Sequence, residues 1–496
     1  MPPEPDDATR LHLPSLTERF KASVISYGVR QIFVILLTFG YNIILTRFLL
    51  PAEFGKVAVI MIVVNVAVLL ADGGFGVYLI QRRAEVNDND LARVATVQLY
   101  FSCLLTSFCF MIAVTVSALY GSVQLAWMVA VASVSLPFLV IRGMSLLLLE
   151  RSVQINKTVR VELLEEGTFA VAAIFFANYG AGAWSVVIAM IFKALVGSAA
   201  ASLLGRFRLR IVPVLWDQEL RDGFRFGMHY QAAQLINMAR VSIIPLFIIP
   251  VFGFHAGGLV ERSLYFASAP LSIILAVQKK TMFPFIARIQ QSRENLRVFL
   301  GNSIYASSIL DKFMFLPLAL FAREIVMLVF GEQWLPMLPL LYWLIAGNVI
   351  FGALAGTLYP AANGIGRSDL ISKFNLIAFI ISWLLMVPFT LFWGIQGVGI
   401  AALVMWGGIH WLRTRIKAEI GMFPYYVKII KPVLAFLVSF AMVKVLSLYT
   451  TGETYSIGRL AFLTLASYVA YVVVLLAIDF RRIFNLIQKM RFSHQQ

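Results

Sequence analysis

Twelve charged side chains stand inside stretches of this 496-residue sequence that are otherwise apolar for most of a bilayer width. Seven are basic (Arg30, Arg142, Lys193, Arg240, Arg262, Lys312 and Lys444) and five are acidic (Asp72, Glu165, Glu166, Glu261 and Asp311). A charge at that depth costs roughly 2.5–3.5 kcal/mol on insertion scales, so it normally faces a cavity or a partner. The cationic excess is the composition of a gap that receives an anion. Arg30, Arg240, Arg262 and Lys193, with Asp72, are therefore the candidate substrate-binding residues of a cationic cleft.

Not every charge need serve that gap. Lys444 sits near a helix end and is expected to snorkel to the interface, as is Arg142. Glu261 with Arg262, and Asp311 with Lys312, are neighbours in sequence and point about 100° apart on a helix. Their partners are expected on other helices. Tyr41, Tyr230, Tyr342, Trp343 and Tyr359 are candidate sugar contacts, because a ring face can stack on a sugar while a polar tip meets a hydroxyl. The same residue types also mark membrane interfaces and ordinary helix packing. His229, alone in an apolar setting, carries no proton-coupling scheme.

Other chemistries find no foothold. The sequence has no G-x-x-x-x-G-K-[ST] run, no strand-borne G-x-G-x-x-G and no Cys/His cluster with metal spacing, so no catalytic residue, metal or cofactor is expected. The two cysteines, Cys103 and Cys109, lie six apart in one expected helix, which is poor geometry for a disulfide. Gly73, Gly74 and Gly76, and Gly352, Ala353, Ala355 and Gly356, read as places of close helix approach.

The elements that must position these groups are membrane spans. Sixty per cent of the residues are hydrophobic and 13 per cent are charged, far from the balance of a soluble domain. A span takes about 20 helical residues. Apolar runs bounded by Gly, Pro or charge predict helices at about 22–49, 54–81, 94–118, 123–149, 159–179 and 181–205. A second six follow at about 226–250, 256–278, 298–322, 336–361, 374–393 and 397–412, and two more at about 432–449 and 459–480.

The expected class is an all-α integral membrane protein of about fourteen transmembrane helices. Its parts are an N-terminal segment (1–21), an N-lobe (22–205), a basic linker (206–225), a C-lobe (226–418), two final helices (419–480) and a tail (481–496). Loops between the spans alternate between basic and nearly neutral. The formal charge of +16 therefore reads as topology and not as a nucleic-acid surface, and it places both termini in the cytoplasm. The first span, with no small-residue cleavage site before it, is expected to remain. Leu50-Pro51, Phe54 and Gly55 recur as Ile249-Pro250, Phe252 and Gly253 about 200 residues on. Doubled helical sets commonly place a substrate site between their halves.

Two blocks carry a family resemblance. SLTERFKASVISYGVRQIFVILLTFGYNIILTRFLLPAEFG, Ser15 to Gly55, resembles the opening of the Wzx-type polysaccharide exporters, in particular the colanic-acid exporter branch. So does LADGGFGVYLIQR, Leu70 to Arg82, with the acidic stretch Glu85 to Asp90 behind it. The resemblance implies the multidrug/oligosaccharidyl-lipid/polysaccharide exporter superfamily, with two six-helix lobes in a V and two C-terminal helices. It implies a cargo of undecaprenyl-diphosphate-linked oligosaccharide, moved by alternating access to the periplasmic leaflet of a bacterial inner membrane, with a polysaccharide polymerase or export machinery downstream. Phosphate oxygens out of water favour Arg, which suits a cationic cleft.

Peptidoglycan-precursor flippases resemble the chain in fold but carry an Arg-Asp pair where Tyr41-Asn42 stands, so lipid II is the lesser alternative. A cation-coupled drug exporter would be expected to pair carboxylates inside a lobe; here Glu150, Glu162, Glu165 and Glu166 gather toward the ends of the fourth and fifth spans. A membrane glycosyltransferase or polymerase would need a large periplasmic loop, and the loops on that side are short. The partners expected are the lipid-linked oligosaccharide and the bilayer itself, with no nucleic acid.

Overall fold

The computed structural model describes residues 33–75, 87–151, 154–205, 207–214, 217–289, 292–423, 425–449 and 457–492. Its regular structure is helical throughout those residues. In chain order the helices are α1 (Phe33–Phe48), α2 (Pro51–Asp72), α3 (Asp88–Tyr120), α4 (Val123–Ser133 continuing as Leu136–Arg151), α5 (Ile155–Asn178), α6 (Trp184–Gly205) and α7 (Gln218–Val241). They continue as α8 (Ile249–Ile289), α9 (Arg293–Val329), α10 (Leu338–Gly364), α11 (Ser368–Trp393), α12 (Gln396–Gly407 and Ile409–Ile420), α13 (Tyr426–Tyr449) and α14 (Ile457–Phe492).

Among the described residues fourteen helical segments therefore stand in the order expected from the sequence, and nine of them are long and apolar enough on their own to cross a membrane. The others fall short for physical reasons. The described part of α1 is brief, α12 breaks at Gly408, and α5, α7 and α9 carry charges in their interiors. Large apolar side chains such as Leu203 and Phe392, both 80% exposed, cover the outside. Only lipid makes that exposure favourable, so this is a multi-pass membrane protein.

Local chemistry sets the ends. Asn87 and Asp90 form a capping box at α3, with the Asn87 side chain accepting from the Asp90 N–H at 2.8 Å. Ser122 caps α4 by accepting from the Leu125 N–H at 3.2 Å. Asp217 accepts from the Leu220 N–H at 3.1 Å and starts α7 at Gln218. The stretch 206–225, expected as linker, thus contributes its last residues to a helix, because the periodicity of a polar, amphipathic turn is hidden from an apolar-run reading.

A π-turn at Ile244–Ile248, with Pro245 inside it, precedes α8, and α8 itself bends at Gly253, whose φ of 83° no helix contains. In α12 the expected single span to 412 gives way at Gly408 to an amphipathic segment that buries Ile409, Leu412, Ile416 and Ile420.

The chain forms two compact units, one of residues 1–48 and 59–234, the other of 49–58 and 235–496. In the first unit a core of Phe75, Leu91, Val94, Met144, Leu147 and Phe207 joins α3 and α4 to the start of α7, with Phe224 packed against it. Gly74 and Gly227 meet backbone to backbone, so a Cβ on either would overlap the other chain segment. In the second unit α8, α9, α10 and α12 enclose a core that includes Leu300, Ile304, Leu354, Leu358 and Leu412. There the first of the repeated motifs meets α8 just past the second. A Cβ on Gly55 would strike the Phe254 carbonyl, and one on Gly258 the Pro51 carbonyl.

Candidate functional site

The first unit gathers charge from three helices and a tyrosine from a fourth. Glu165 and Glu166 lie side by side on α5, where the spacing of Glu162, Glu165, Glu166 and Phe169 (i, i+3, i+4, i+7) makes one face of an otherwise apolar helix. Arg142 of α4 grips Glu165 with two nitrogens, Nη2 to Oε2 at 2.8 Å and Nε to Oε1. Glu165 is 2% exposed, and Gly197 of α6 leaves the room its carboxylate fills.

Next to that pair, Lys193 of α6 donates to Glu166 at 2.5 Å and Tyr41 of α1 donates to the same carboxylate at 3.0 Å. The Phe169 ring closes the group, 5.2 Å from the Tyr41 ring and 5.6 Å from the Lys193 ammonium. Lys193 remains 31% exposed and Glu166 17%, whereas Glu165 is sealed. Arg142, at 29%, is as exposed as Lys193, so the two pairs differ at their carboxylates, Glu165 sealed and Glu166 partly open.

Asp72 belongs to a different place in the same unit. It ends α2, accepting from the Gly74 N–H at 3.1 Å and from Gln98 Nε2 at 3.0 Å. Those bonds order the turn that brings Gly74 against Gly227.

The second unit holds its charges differently. Arg262 on α8 is 6% exposed and bonds the neighbouring Glu261 with Nη2 to Oε1 at 2.6 Å and with Nε to Oε2. Its guanidinium lies 4.2 Å from the centre of the Phe54 ring and 4.7 Å from that of Tyr265. Phe54 in turn meets Trp334 at 5.5 Å. On α9, Asp311 and Lys312 are wholly buried, 3.0 Å apart. Nearer one end, Asp479 of α14 accepts from Tyr305 at 2.8 Å and from Lys431 at 2.5 Å.

Residues 44–339 match the family described as "Polysaccharide biosynthesis protein". The chain belongs to that family.

Among similar proteins is "Succinoglycan biosynthesis transport protein ExoT" of Rhizobium meliloti, 25% identical over 68% of this chain and 69% of that one. Another is "Lipopolysaccharide biosynthesis protein WzxC" of Escherichia coli, 26% identical over 67% of each. Of solved structures, lipid II flippase MurJ in an inward closed conformation aligns with a TM-score of 0.77 at 13% identity, covering 92% of this chain and 100% of that chain. An inward-facing MATE family transporter of the MOP superfamily aligns at 0.61 and 16% identity, covering 79% and 98%. This member of the polysaccharide biosynthesis family is therefore a transporter with the MurJ and MATE fold, and not an enzyme.

Of the predicted site residues, the structure brings Tyr41 and Lys193 together on Glu166 and sets Asp72 apart from them. Arg262 stands among Phe54, Tyr265 and Glu261. Tyr342 and Trp343 are exposed on α10, and Tyr359 is half-buried, donating to Asn375 Oδ1 at 3.2 Å. Arg30 lies outside the described residues. Arg240 and Tyr230 lie on α7, and their side chains are outside them too.

Two expectations need correction. Arg142 does not snorkel freely, because Glu165 on α5 offers a carboxylate to meet it. The sequence neighbours Glu261 and Arg262, and Asp311 and Lys312, do pair with each other, since long side chains can reach across a 100° offset when burial removes water as the competitor. Sequence reasoning missed Glu166 as the hub; its face of α5 was the available signal.

Proposed function

We propose that this protein moves undecaprenyl-diphosphate-linked oligosaccharide repeat units from the cytoplasmic to the periplasmic leaflet of a bacterial inner membrane. The units serve exopolysaccharide, capsule or O-antigen synthesis, and both termini lie in the cytoplasm. Relatives named for succinoglycan biosynthesis transport and for lipopolysaccharide biosynthesis support the cargo class. The observation that carries the reading is the Tyr41–Glu166–Lys193 group, an ammonium inside an apolar bundle that one carboxylate holds and that surrounding space can reach.

A diphosphate entering that space competes with Glu166 for Lys193, and its charge-assisted bonds replace the one given up. The Tyr41 hydroxyl and the Phe169 ring then offer a sugar both a polar tip and an apolar face. Arg30, Arg240 and Arg262 are the further cations of this proposal, with Tyr230, Tyr342, Trp343 and Tyr359 as further sugar contacts. Alternating access delivers the headgroup while the lipid tail stays in the bilayer. No bond is broken.

A cation-coupled exporter would want the α5 carboxylates available to a cation. Glu165 and Glu166 each already hold a basic side chain, which disfavours that reading.

The experiment is deletion with complementation. Loss of the gene traps undecaprenyl-linked repeat units on the cytoplasmic face. Lys193→Ala, Arg30→Ala and Arg240→Ala each restore about a tenth or less of polymer output at unchanged protein abundance, about 1.4 kcal/mol or more of lost cargo interaction. Full output from all three variants overturns the site, and untrapped intermediates in the deletion overturn the cargo.

A further inference from the structure

A second basic site lies at one end of the second unit, away from the charges described above. The turn between α10 and α11 and the second segment of α12 bound a pocket of about 200 Å³, lined by Arg367, Leu370, Lys373, Trp411, Arg415 and Glu419. Two carboxylates there are committed to holding cations. Asp369 accepts from Arg367 Nε at 2.9 Å and Nη2 at 3.2 Å, and Glu419 pairs with the remaining nitrogen of the fork.

Arg415 is placed otherwise. Its guanidinium lies over the Trp411 ring, 5.3 Å from the centroid, one helical turn away on the same face. Among the described residues no carboxylate pairs with it. Lys373 leans on Asp369 at 3.4 Å and is 63% exposed. The pocket thus presents one braced guanidinium and one loosely held ammonium, with a third cation fixed behind them. Arg415 is a donor that no described carboxylate holds, while Lys373 shares Asp369 with Arg367 and keeps further N–H donors to give.

The surroundings say what sort of anion could meet them. The α12 segment Ile409–Ile420 packs its apolar face into the core of the second unit, with Arg415 on one flank of that face and Arg413 and Lys417 on the other. Arg413 rests on Tyr425 and Tyr426, 4.6 and 4.7 Å from their ring centres. Met422 and Val427, 75% and 62% exposed, stand just beyond. Apolar surface that only lipid can cover therefore gives way to charge at this level, which is where headgroups lie.

We propose that this pocket binds the phosphate of a lipid headgroup, Arg415 and Lys373 donating to its oxygens and Trp411 bracing the guanidinium. Basic pockets between membrane helices take phosphorylated headgroups by this chemistry. Arg367 keeps the wall in place, and Glu419 closes the side from which an anion is repelled. The inference does not depend on the export reading, since a phospholipid held here would be held whether or not the cargo is a repeat unit.

The test uses the full-length protein in neutral detergent and reads the thermal stabilisation given by added lipid. Phosphatidylcholine, phosphatidylglycerol, undecaprenyl phosphate and inorganic phosphate are titrated in parallel against wild type, R415Q/K373Q and Arg415→Lys. Wild type is expected to respond to phosphatidylglycerol or undecaprenyl phosphate at lower concentration than to phosphatidylcholine. Each charge removed should raise that concentration about fivefold, and Arg415→Lys should lose less than R415Q/K373Q. Preference for undecaprenyl phosphate over phosphatidylglycerol assigns the pocket to the cargo's own kind of lipid, and the reverse assigns it to the bilayer. Equal response of wild type and R415Q/K373Q to every phosphate-bearing lipid overturns the proposal, as does a response to inorganic phosphate alone. If the double variant fails to fold, R415Q and K373Q singly carry the same comparison.

Discussion

Two charge groups, one in each unit, solve the problem of charge inside an apolar bundle in opposite ways. In the first, the partners come from different helices, Arg142 from α4, both carboxylates from α5, Lys193 from α6 and Tyr41 from α1, and part of the group stays open. In the second, Asp311 and Lys312 are sequence neighbours and are sealed completely. A pair spread over several helices can exchange partners when those helices shift. A pair on one helix turn has no second arrangement to adopt, and no substrate can reach it.

The sharpest way to break this comparison is to remove half of the sealed pair. Lys312→Ala leaves a carboxylate alone in a region without water, a loss of about 3–5 kcal/mol. Folded abundance and detergent melting temperature should fall steeply, and the double change Asp311→Asn with Lys312→Met should recover most of both, because apolar or neutral replacements of a buried pair are often tolerated. Polymer output per folded molecule should be unchanged in the double variant. A well-folded double variant that no longer exports would give the sealed pair a working role and erase the contrast.

The open pair should answer in the reverse sense. Glu166→Gln removes the charge from a part-buried carboxylate but keeps an oxygen that Lys193 and Tyr41 can still reach, so it should cost far less than unpairing the sealed pair. Melting should barely move, while polymer output changes several-fold, measured per unit of membrane-inserted protein. Glu165→Gln, by contrast, should destabilise first, since Glu165 is the buried carboxylate and its change leaves the two-nitrogen contact with Arg142 half-made. If both glutamine variants behave alike, the division of α5 into a structural and a working carboxylate is wrong.

How much of this could be read from sequence follows the same line. Apolar runs carry the fourteen helices because a bilayer demands unbroken hydrophobic length, and they lose accuracy where the helix is amphipathic. Hence α7 starts at Gln218 and not near 226, and α12 continues past Gly408 as a surface-type segment. The membrane-depth charges were legible as a set, but their partners were not. That Glu166 answers to Lys193 and Tyr41 depends on how α1, α5 and α6 pack, and nothing in one sequence states it. The repeated Pro-Phe-Gly motifs were visible, yet the seating of the first on α8, Gly55 against Phe254 and Pro51 against Gly258, needed the fold.

The smallest effect belongs to the cap of α7, where the first unit again joins separate helices, this time outside the membrane. The Leu220 N–H and the Arg93 guanidinium of α3 hold the Asp217 carboxyl below its usual range. A depressed carboxylate contributes stability above its unfolded pKa, about 3.9, and loses it as pH falls through the lower folded value. Asp217→Asn keeps a side chain able to cap but drops the attraction to Arg93. The melting temperature of wild type should exceed that of D217N by a small margin at pH 7, and the margin should close below about pH 4 as Asp217 takes up its proton. Taking the difference cancels the other titrating carboxylates. A margin that stays constant with pH would mean that Arg93 does not sense the charge of Asp217, and that α3 and α7 are held together here by Phe224 and its apolar neighbours alone.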